Sequence, residues 1–377
     1  MTFPSPVQNG RGVLVIGGGV SGLTSALCLR RSGFAVTVIA EEFAPRITSV
    51  VAGALWEWPP AVCGHHHDHR SLERSKRWCQ LSYDVFGDLA GDPATGVFMR
   101  AVTFYFQRPI AEDPQQRQKA HELANVVRQF RWDSRLIHEN GVNTGLGYRD
   151  AYRHLAPMID TDAYMRWLLG AVRDAGCRVI ERKVTGQLCD QAESLAREYG
   201  ADVVVNCTGL GARELTNDLV SPLRGAIIRV RNDGTSIPRI TEAHCVAHDG
   251  SGTERGFIFI VPRGRDMLVL GGLAEADEWS LDIGLGNYQP IRDMFERCLE
   301  FLPALRGCVI DAAEPVRVGL RPFRRQNVRL ETEPGTRIVH NYGHGGSGVT
   351  FSWGCAHEVV EQVEALMNTI RSTTGDE

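Results

Sequence analysis

The chain lacks several things that would commit it elsewhere. No apolar run reaches the ~18–20 residues that a spanning helix needs. The start, Met1-Thr2-Phe3-Pro4, carries no basic and apolar leader. The end, Gly375-Asp376-Glu377, is not a peroxisomal tripeptide. These readings lead us to expect a cytoplasmic protein. Neither sign of charge is in large excess: 41 Lys and Arg stand against 45 Asp and Glu, a net charge of −4. Neither nucleic acid nor a membrane surface is thus favoured as a partner. The ten cysteines include no C-x-x-C pair and read as reduced thiols rather than a disulfide framework, with Cys28 and Cys207 expected to be buried. There is no repeat, no low-complexity tract, and no Ser/His/Asp or Cys/His constellation for nucleophilic catalysis.

What is present is glycine, concentrated in two loops more than three hundred residues apart. The first is Gly17-Gly18-Gly19-Val20-Ser21-Gly22, directly after the apolar run Val13–Ile16. The second is Gly343-His344-Gly345-Gly346-Ser347-Gly348-Val349-Thr350, directly after Ile338–Tyr342. Each follows a strand-like run and precedes a helix-like one. One such loop points to a dinucleotide. Two point to a long cofactor held at both ends, phosphates on one helix and reactive ring on the other.

Gly17, Gly19 and Gly22 fit G-x-G-x-x-G. Glycines there allow a tight turn, close approach of backbone to a pyrophosphate, and close packing of helix on strand. Val20 and Ser21 stand within this loop, before a helix read over Leu23–Arg31 whose N-terminus offers N–H groups to phosphate. Gly33 ends it, and Ala35–Ile39 is a second buried strand. Glu41, with Glu42 beside it, stands where a carboxylate accepts hydrogen bonds from ribose hydroxyls. The fingerprint does not separate NAD from FAD.

Further on, the pattern breaks up between Trp56 and Tyr152 and reads as an insertion away from the cofactor sheet. Ala101–Gln107 is strand-like and Pro114–Gln129 helix-like. Asp160-Thr161-Asp162 can cap a helix that ends at Gly176. Strands are read at Arg178–Ile180, Asp202–Asn206, Ala226–Val230, Phe257–Val261 and Met267–Leu270, and helices at Tyr288–Phe301 and from about Trp353 to Arg371. The cluster His65-His66-His67-Asp68-His69 has no second group of ligands at metal spacing and reads as a solvated polar loop, so no metal is expected.

These motifs resemble the D-amino-acid oxidase family of FAD-dependent flavoproteins, which includes D-aspartate oxidase. The resemblance runs from about Val13 to Leu366 and is weak from Cys63 to Ala156. Beside the two loops it is carried by Thr48-Ser49-Val50-Val51-Ala52-Gly53-Ala54-Leu55-Trp56, Asp202–Gly209, Leu223-Arg224-Gly225 and Val318-Gly319-Leu320-Arg321-Pro322. It implies an α/β fold: a Rossmann-like FAD-binding domain, from 11–55, 155–221 and 322–371, and a mostly antiparallel β-sheet substrate domain, from 56–154 and 222–321. It implies non-covalent FAD lined by Thr48, Ser49, Gly53, Ala54 and Leu55. Val184 would meet the adenine through its main chain, and Cys207, Thr208 and Gly209 would lie along the cofactor. Gly345, Gly346, Ser347, Gly348, Val349 and Thr350 would edge the flavin ring, where a helix start can stabilise the negative charge of reduction.

The resemblance further implies hydride transfer from the α-carbon of a D-amino acid or derivative to flavin N5. The products are an imino acid, then a 2-oxo acid and ammonia, with hydrogen peroxide formed from O2. Arg321 would pair with the substrate carboxylate, since its planar fork matches two oxygens. Gly346 would accept from the amine through its carbonyl, and no side chain is needed as acid or base. His344 reads as structural. Two departures stand out. Where the family has a tyrosine donating to the same carboxylate, this chain has Phe259, in Phe259-Ile260-Val261-Pro262, and the loop Gly250–Gly256 supplies no tyrosine either. Glu57 follows Trp56 where animal members have glutamine: facing the pocket it would favour a cationic group, and facing solvent it would do nothing. An oxidase of a secondary amine or modified amino acid stays open as an alternative, as does a flavin-binding protein without amino-acid turnover. A homodimer is compatible with either.

Overall fold

The computed structural model describes residues 11–59, 68–246 and 257–374. Two sheets organise it. The first has six strands in the order Arg329–Thr332, Ile338–Tyr342, Val203–Asn206, Gly12–Ile16, Ala35–Ala40 and Arg178–Glu181. All pair in parallel except the edge strand Arg329–Thr332. Its central strands are buried on both faces, as a parallel sheet covered by helices requires. Val13, Val15, Val36, Val38, Val203 and Val205 face the helices Val20–Arg31, Thr161–Asp174 and Gly348–Thr374. Leu14, Ile16, Ile39 and Val204 face the helix Leu188–Tyr199. The period-2 alternation thus assigns each apolar side chain to one layer of a three-layer unit.

The second sheet has nine strands and is antiparallel except where Val97–Phe106 runs beside Ala243–Val246. One face of it packs on the helix Gln289–Phe301, through Ile228, Ile260, Leu268 and Leu270 against Ile291, Met294 and Phe301. The other face turns toward the first unit. One continuous rung crosses it: Tyr152 opposite Phe104, then Cys245, Phe259, Gly271 and Ile227. Residues on one rung share a face, so position within these strands decides which side chains can reach a ligand.

Three readings need correction. The expected divisions at 154/155, 221/222 and 321/322 fall inside strands of the second sheet, Asp150–Ile159, Val220–Arg231 and Val316–Arg324. Pro322 lies inside the last of these. It pairs opposite Pro222 within Val316–Arg324, whose one ladder among the described residues is with Val220–Arg231, beside a single bridge from Phe323 to His344, so its missing N–H breaks no second ladder. The stretch after Trp56 is not wholly remote from the first unit. It contains a 21-residue helix, His69–Leu89, that buries Trp78, Cys79, Ser82, Tyr83 and Phe86. Gly354 lets this helix and the last one touch: a Cβ there would lie 2.2 Å from the Trp78 Cα. Finally, the last helix starts at Gly348, inside the second glycine loop, rather than near Trp353. Asp68 caps the helix His69–Leu89 by accepting from the Ser71 N–H at 2.7 Å, whereas His65–His67 lie outside the described residues.

Candidate active site

A cavity of about 1250 Å³ lies between the two sheets and reaches both glycine loops. At one end the helix Val20–Arg31 begins at Gly19, a residue with no side chain of its own to cap it. Gly17 sits at φ +127°, and a Cβ there would come within 2.4 Å of the Cys207 carbonyl oxygen. Gly22 does not line the cavity. A Cβ there would lie 2.0 Å from the Gly17 carbonyl oxygen, so its task is to let the helix close onto the turn. Val20 N–H donates to Ser49 Oγ at 3.0 Å, tying the loop to the segment Thr48–Leu55. Glu41, Glu42 and Val184 line the same end, with Glu41 accepting from Lys183 at 2.8 Å and Glu42 from Arg46 at 3.1 Å.

At the other end Gly343 and Gly345 adopt φ +84° and +54°, which L side chains rarely do. A single tight turn, Gly345–Ser347, passes directly into the helix Gly348–Thr374. His344 is buried beneath it and donates from Nε2 to Asn341 Oδ1 at 3.0 Å, while the Asn341 amide donates to Ser25 Oγ at 3.1 Å. Burial pulls the His344 imidazole down to about 4, so it is neutral near pH 7. Ser25 lies on the first glycine helix. One buried chain of hydrogen bonds therefore links the two loops.

Between the loops, Thr48, Ser49, Gly53, Ala54 and Leu55 line the cavity with Cys207, Thr208 and Gly209. Ala54 holds φ +52°, a left-handed conformation that costs a non-glycine residue about 1–2 kcal/mol. What holds it was missed in the sequence. Arg263, buried to 4% exposure, donates to the carbonyl oxygens of Ala52 and Gly53 at 2.8 and 2.9 Å and to Thr161 Oγ1 at 2.7 Å. Thr161 in turn donates to the Val50 carbonyl at 2.6 Å. Desolvation brings Arg263 down to about 10, and Asp160 and Asp162 act against that shift. It follows Pro262 in a strand otherwise apolar, and only the fold reveals that its fork meets residues some two hundred positions away.

The second sheet supplies the remaining wall. Phe259, Gly271 and Ile227 line the cavity from the rung described above. Gly53 leaves space for the Phe259 ring, since a Cβ there would lie 2.7 Å from it. Arg321, two registers along on the same face, opens onto the cavity beside Gly225. A Cβ at Gly225 would lie 2.3 Å from the Arg321 guanidinium. Its neighbours Arg317 and Arg324 are paired with Asp162 and Asp218 at 2.8 Å each. Arg321 has no carboxylate partner among the described residues and donates only to the Leu273 carbonyl at 3.3 Å. Burial lowers it to about 10, which leaves it charged at neutral pH. Glu57 also lines the cavity, which decides between the two readings of its direction, but it already faces Lys119 Nζ at 3.4 Å. Gly346 and Ser347 to Thr350 complete the wall. The loop Gly250–Gly256 lies outside the described residues.

The site thus offers helix N–H groups and close-approach glycines at both ends of one long cavity, and a desolvated cation near the second. That arrangement suits an extended phosphate-bearing cofactor and a small carboxylate. A glycine oxidase from Geobacillus kaustophilus shares the fold, with a TM-score of 0.73 at 15% identity over 94% of this chain and 95% of that one. The D-amino-acid oxidase of Rubrobacter xylanophilus is 38% identical over 361 residues, 94% of this chain and 96% of that protein. Human D-aspartate oxidase is 29% identical over 378 residues, 96% of each. The profile of the family described as FAD dependent oxidoreductase matches residues 12–362, and the chain belongs to that family, the FAD-dependent oxidoreductases that include the D-amino-acid oxidases.

Proposed function

We propose that the protein oxidises a D-amino acid, giving an imino acid that hydrolyses to a 2-oxo acid and ammonia. The observation that carries this is Arg321, a desolvated guanidinium that opens onto the cofactor cavity with no acid of its own among the described residues. Its planar fork fits an α-carboxylate bidentately. The 38%-identical relatives named D-amino-acid oxidase support the same reading.

The first glycine turn, where Cβ atoms at Gly17, Gly18 and Gly22 would strike backbone, and the helix that starts at Gly19 without a cap from that residue, fit FAD. Gly17, Gly19, Val20 and Ser21 would hold its pyrophosphate, Glu41 and Glu42 the ribose side, and Val184 the adenine. Bound FAD supplies the hydride acceptor and a route for electrons to O2, giving hydrogen peroxide. The protein's own residues then have limited tasks. Arg321 fixes the carboxylate, the Gly346 carbonyl accepts from the amine, and Phe259 walls off water. The N–H groups from Gly345 to Thr350 meet negative charge at the start of the helix. His344, buried and neutral, serves as scaffold rather than acid or base. A cytoplasmic location and a homodimer belong to the same proposal.

Phe259 favours a second reading, an oxidase of a secondary or modified amine, because it supplies no hydroxyl to the carboxylate. Anaerobic bleaching of the bound flavin across D-amino acids, L-amino acids and N-methyl amines separates the two. Bleaching by D-amino acids is expected; bleaching by N-methyl amines alone would hand the site to the second reading.

A further inference from the structure

Arg263 lies buried behind the cavity wall and does not itself line the cavity. Its hydrogen bonds to described residues go to neutral oxygens: Thr161 Oγ1 at 2.7 Å and the carbonyls of Ala52 and Gly53 at 2.8 and 2.9 Å. The arginines near it are matched instead. Arg317 has Asp162 at 2.8 Å, and Arg229 has Asp311 at 3.1 Å. Asp160 and Asp162 act on Arg263 from beyond ion-pair distance, and Arg317 and Arg229 oppose them.

Both carbonyls accept from one nitrogen, Arg263 Nη2. A trans peptide sets its C=O and N–H on opposite edges, so the N–H groups of Gly53 and Ala54 both point away from Arg263. Neither donates to a described residue. Gly53 and Ala54 line the cavity where the Phe259 ring closes on Gly53. Two adjacent N–H groups on one side of the chain, with a left-handed residue at Ala54, form the kind of concavity that holds negative charge.

We propose that Arg263 is a positioning residue for the redox step: its charge, acting through these two peptide groups, makes the Gly53–Ala54 wall electropositive toward the flavin ring and favours the reduced state. Two electrons and one proton leave that ring with one negative charge. A cation bonded to the carbonyl edge of a peptide strengthens the donor on the other edge, and burial leaves the cation poorly screened. Holding Ala54 in its left-handed conformation needs hydrogen bonds, which a neutral donor supplies. A buried cation without a carboxylate costs more than that task requires. The proposal rests on bound FAD and not on the D-amino-acid reading, so no amino acid enters its test.

The test is the flavin midpoint potential, read by reductive titration against a redox dye. Arg263→Gln keeps a hydrogen-bond donor and removes the charge. It should shift the equilibrium away from the reduced ring about tenfold, or about 30 mV for a two-electron couple. Arg263→Lys keeps the charge and should hold the potential near that of the parent. Asp160 counters Arg263 and caps the helix Thr161–Asp174. Asp160→Asn retains a capping side chain and should raise the potential. The dissociation constant for FAD reports the structural share of each change separately. A parent potential in Arg263→Gln, or equal losses in the Gln and Lys variants, would overturn the proposal. If Arg263→Gln binds no FAD, Asp160→Asn decides alone: a raised potential supports the proposal, and an unchanged one overturns it.

Discussion

The two faces of the nine-stranded sheet are built from the same strands, yet they do opposite work. One carries Ile228, Ile260, Leu268 and Leu270 and packs on the helix Gln289–Phe301. The other carries Gly225, Gly271, Phe259 and Arg321 and bounds the cavity. The first face is closed and aliphatic, and its residues act by volume. The second gives up volume at its glycines so that a guanidinium and a ligand can occupy the space. The lesson is that a one-residue step along a strand separates a stability position from a site position.

Mutations on the two faces should therefore fail differently. The largest effect is expected from Arg321→Ala, which removes the cation from the cavity face. With a carboxylate substrate, kcat/KM should fall by about thirtyfold or more, from the 2–5 kcal/mol of a truncated buried charge pair. Flavin content and thermal midpoint should stay near those of the parent. Ile228→Ala, on the closed face, should do the reverse. It should cost about 2–5 kcal/mol of stability through the cavity it leaves, read as a lowered denaturation midpoint, with KM hardly changed. Equal loss of stability from both variants would break the comparison.

Gly225→Ala sharpens it. The new methyl would lie 2.3 Å from the Arg321 guanidinium, so Arg321 must move. A weaker copy of Arg321→Ala is expected, with KM raised about tenfold, roughly the worth of one charge-assisted hydrogen bond. The smallest effect is expected from Phe259→Tyr. A hydroxyl on the cavity face should lower KM for a carboxylate substrate about three- to tenfold, the yield of one net hydrogen bond. An unchanged KM would mean that position 259 does not face the carboxylate.

The cofactor half was legible because its signals are local. The fingerprint Gly17–Gly22 sits within one strand-turn-helix, and Gly17, Gly18 and Gly22 each have a steric reason in the fold. The second loop was legible for the same reason, although its helix starts five residues earlier than its apolar pattern indicated. The helix His69–Leu89 was missed beside the histidine cluster and Pro59-Pro60. Its buried positions 78, 79, 82, 83 and 86 follow a helical spacing that was there to be read. The divisions between the two units were misplaced because Asp150–Ile159, Val220–Arg231 and Val316–Arg324 carry no break where the site segments change role. Arg263 and Lys119 could not be found locally. One meets carbonyl groups 210 and 211 residues away, and the other meets a carboxylate 62 residues away. Such partners are set by sheet order and not by spacing along the chain.

The central claim is that Arg321 on the cavity face receives the substrate carboxylate. A crystal structure of the FAD-bound enzyme with 2-aminoisobutyrate, an amino acid that has no α-hydrogen to lose, tests it directly. The account predicts both carboxylate oxygens at about 3 Å from the Arg321 guanidinium nitrogens. A carboxylate seated elsewhere in the cavity, with Arg321 still donating only to the Leu273 carbonyl, would contradict it.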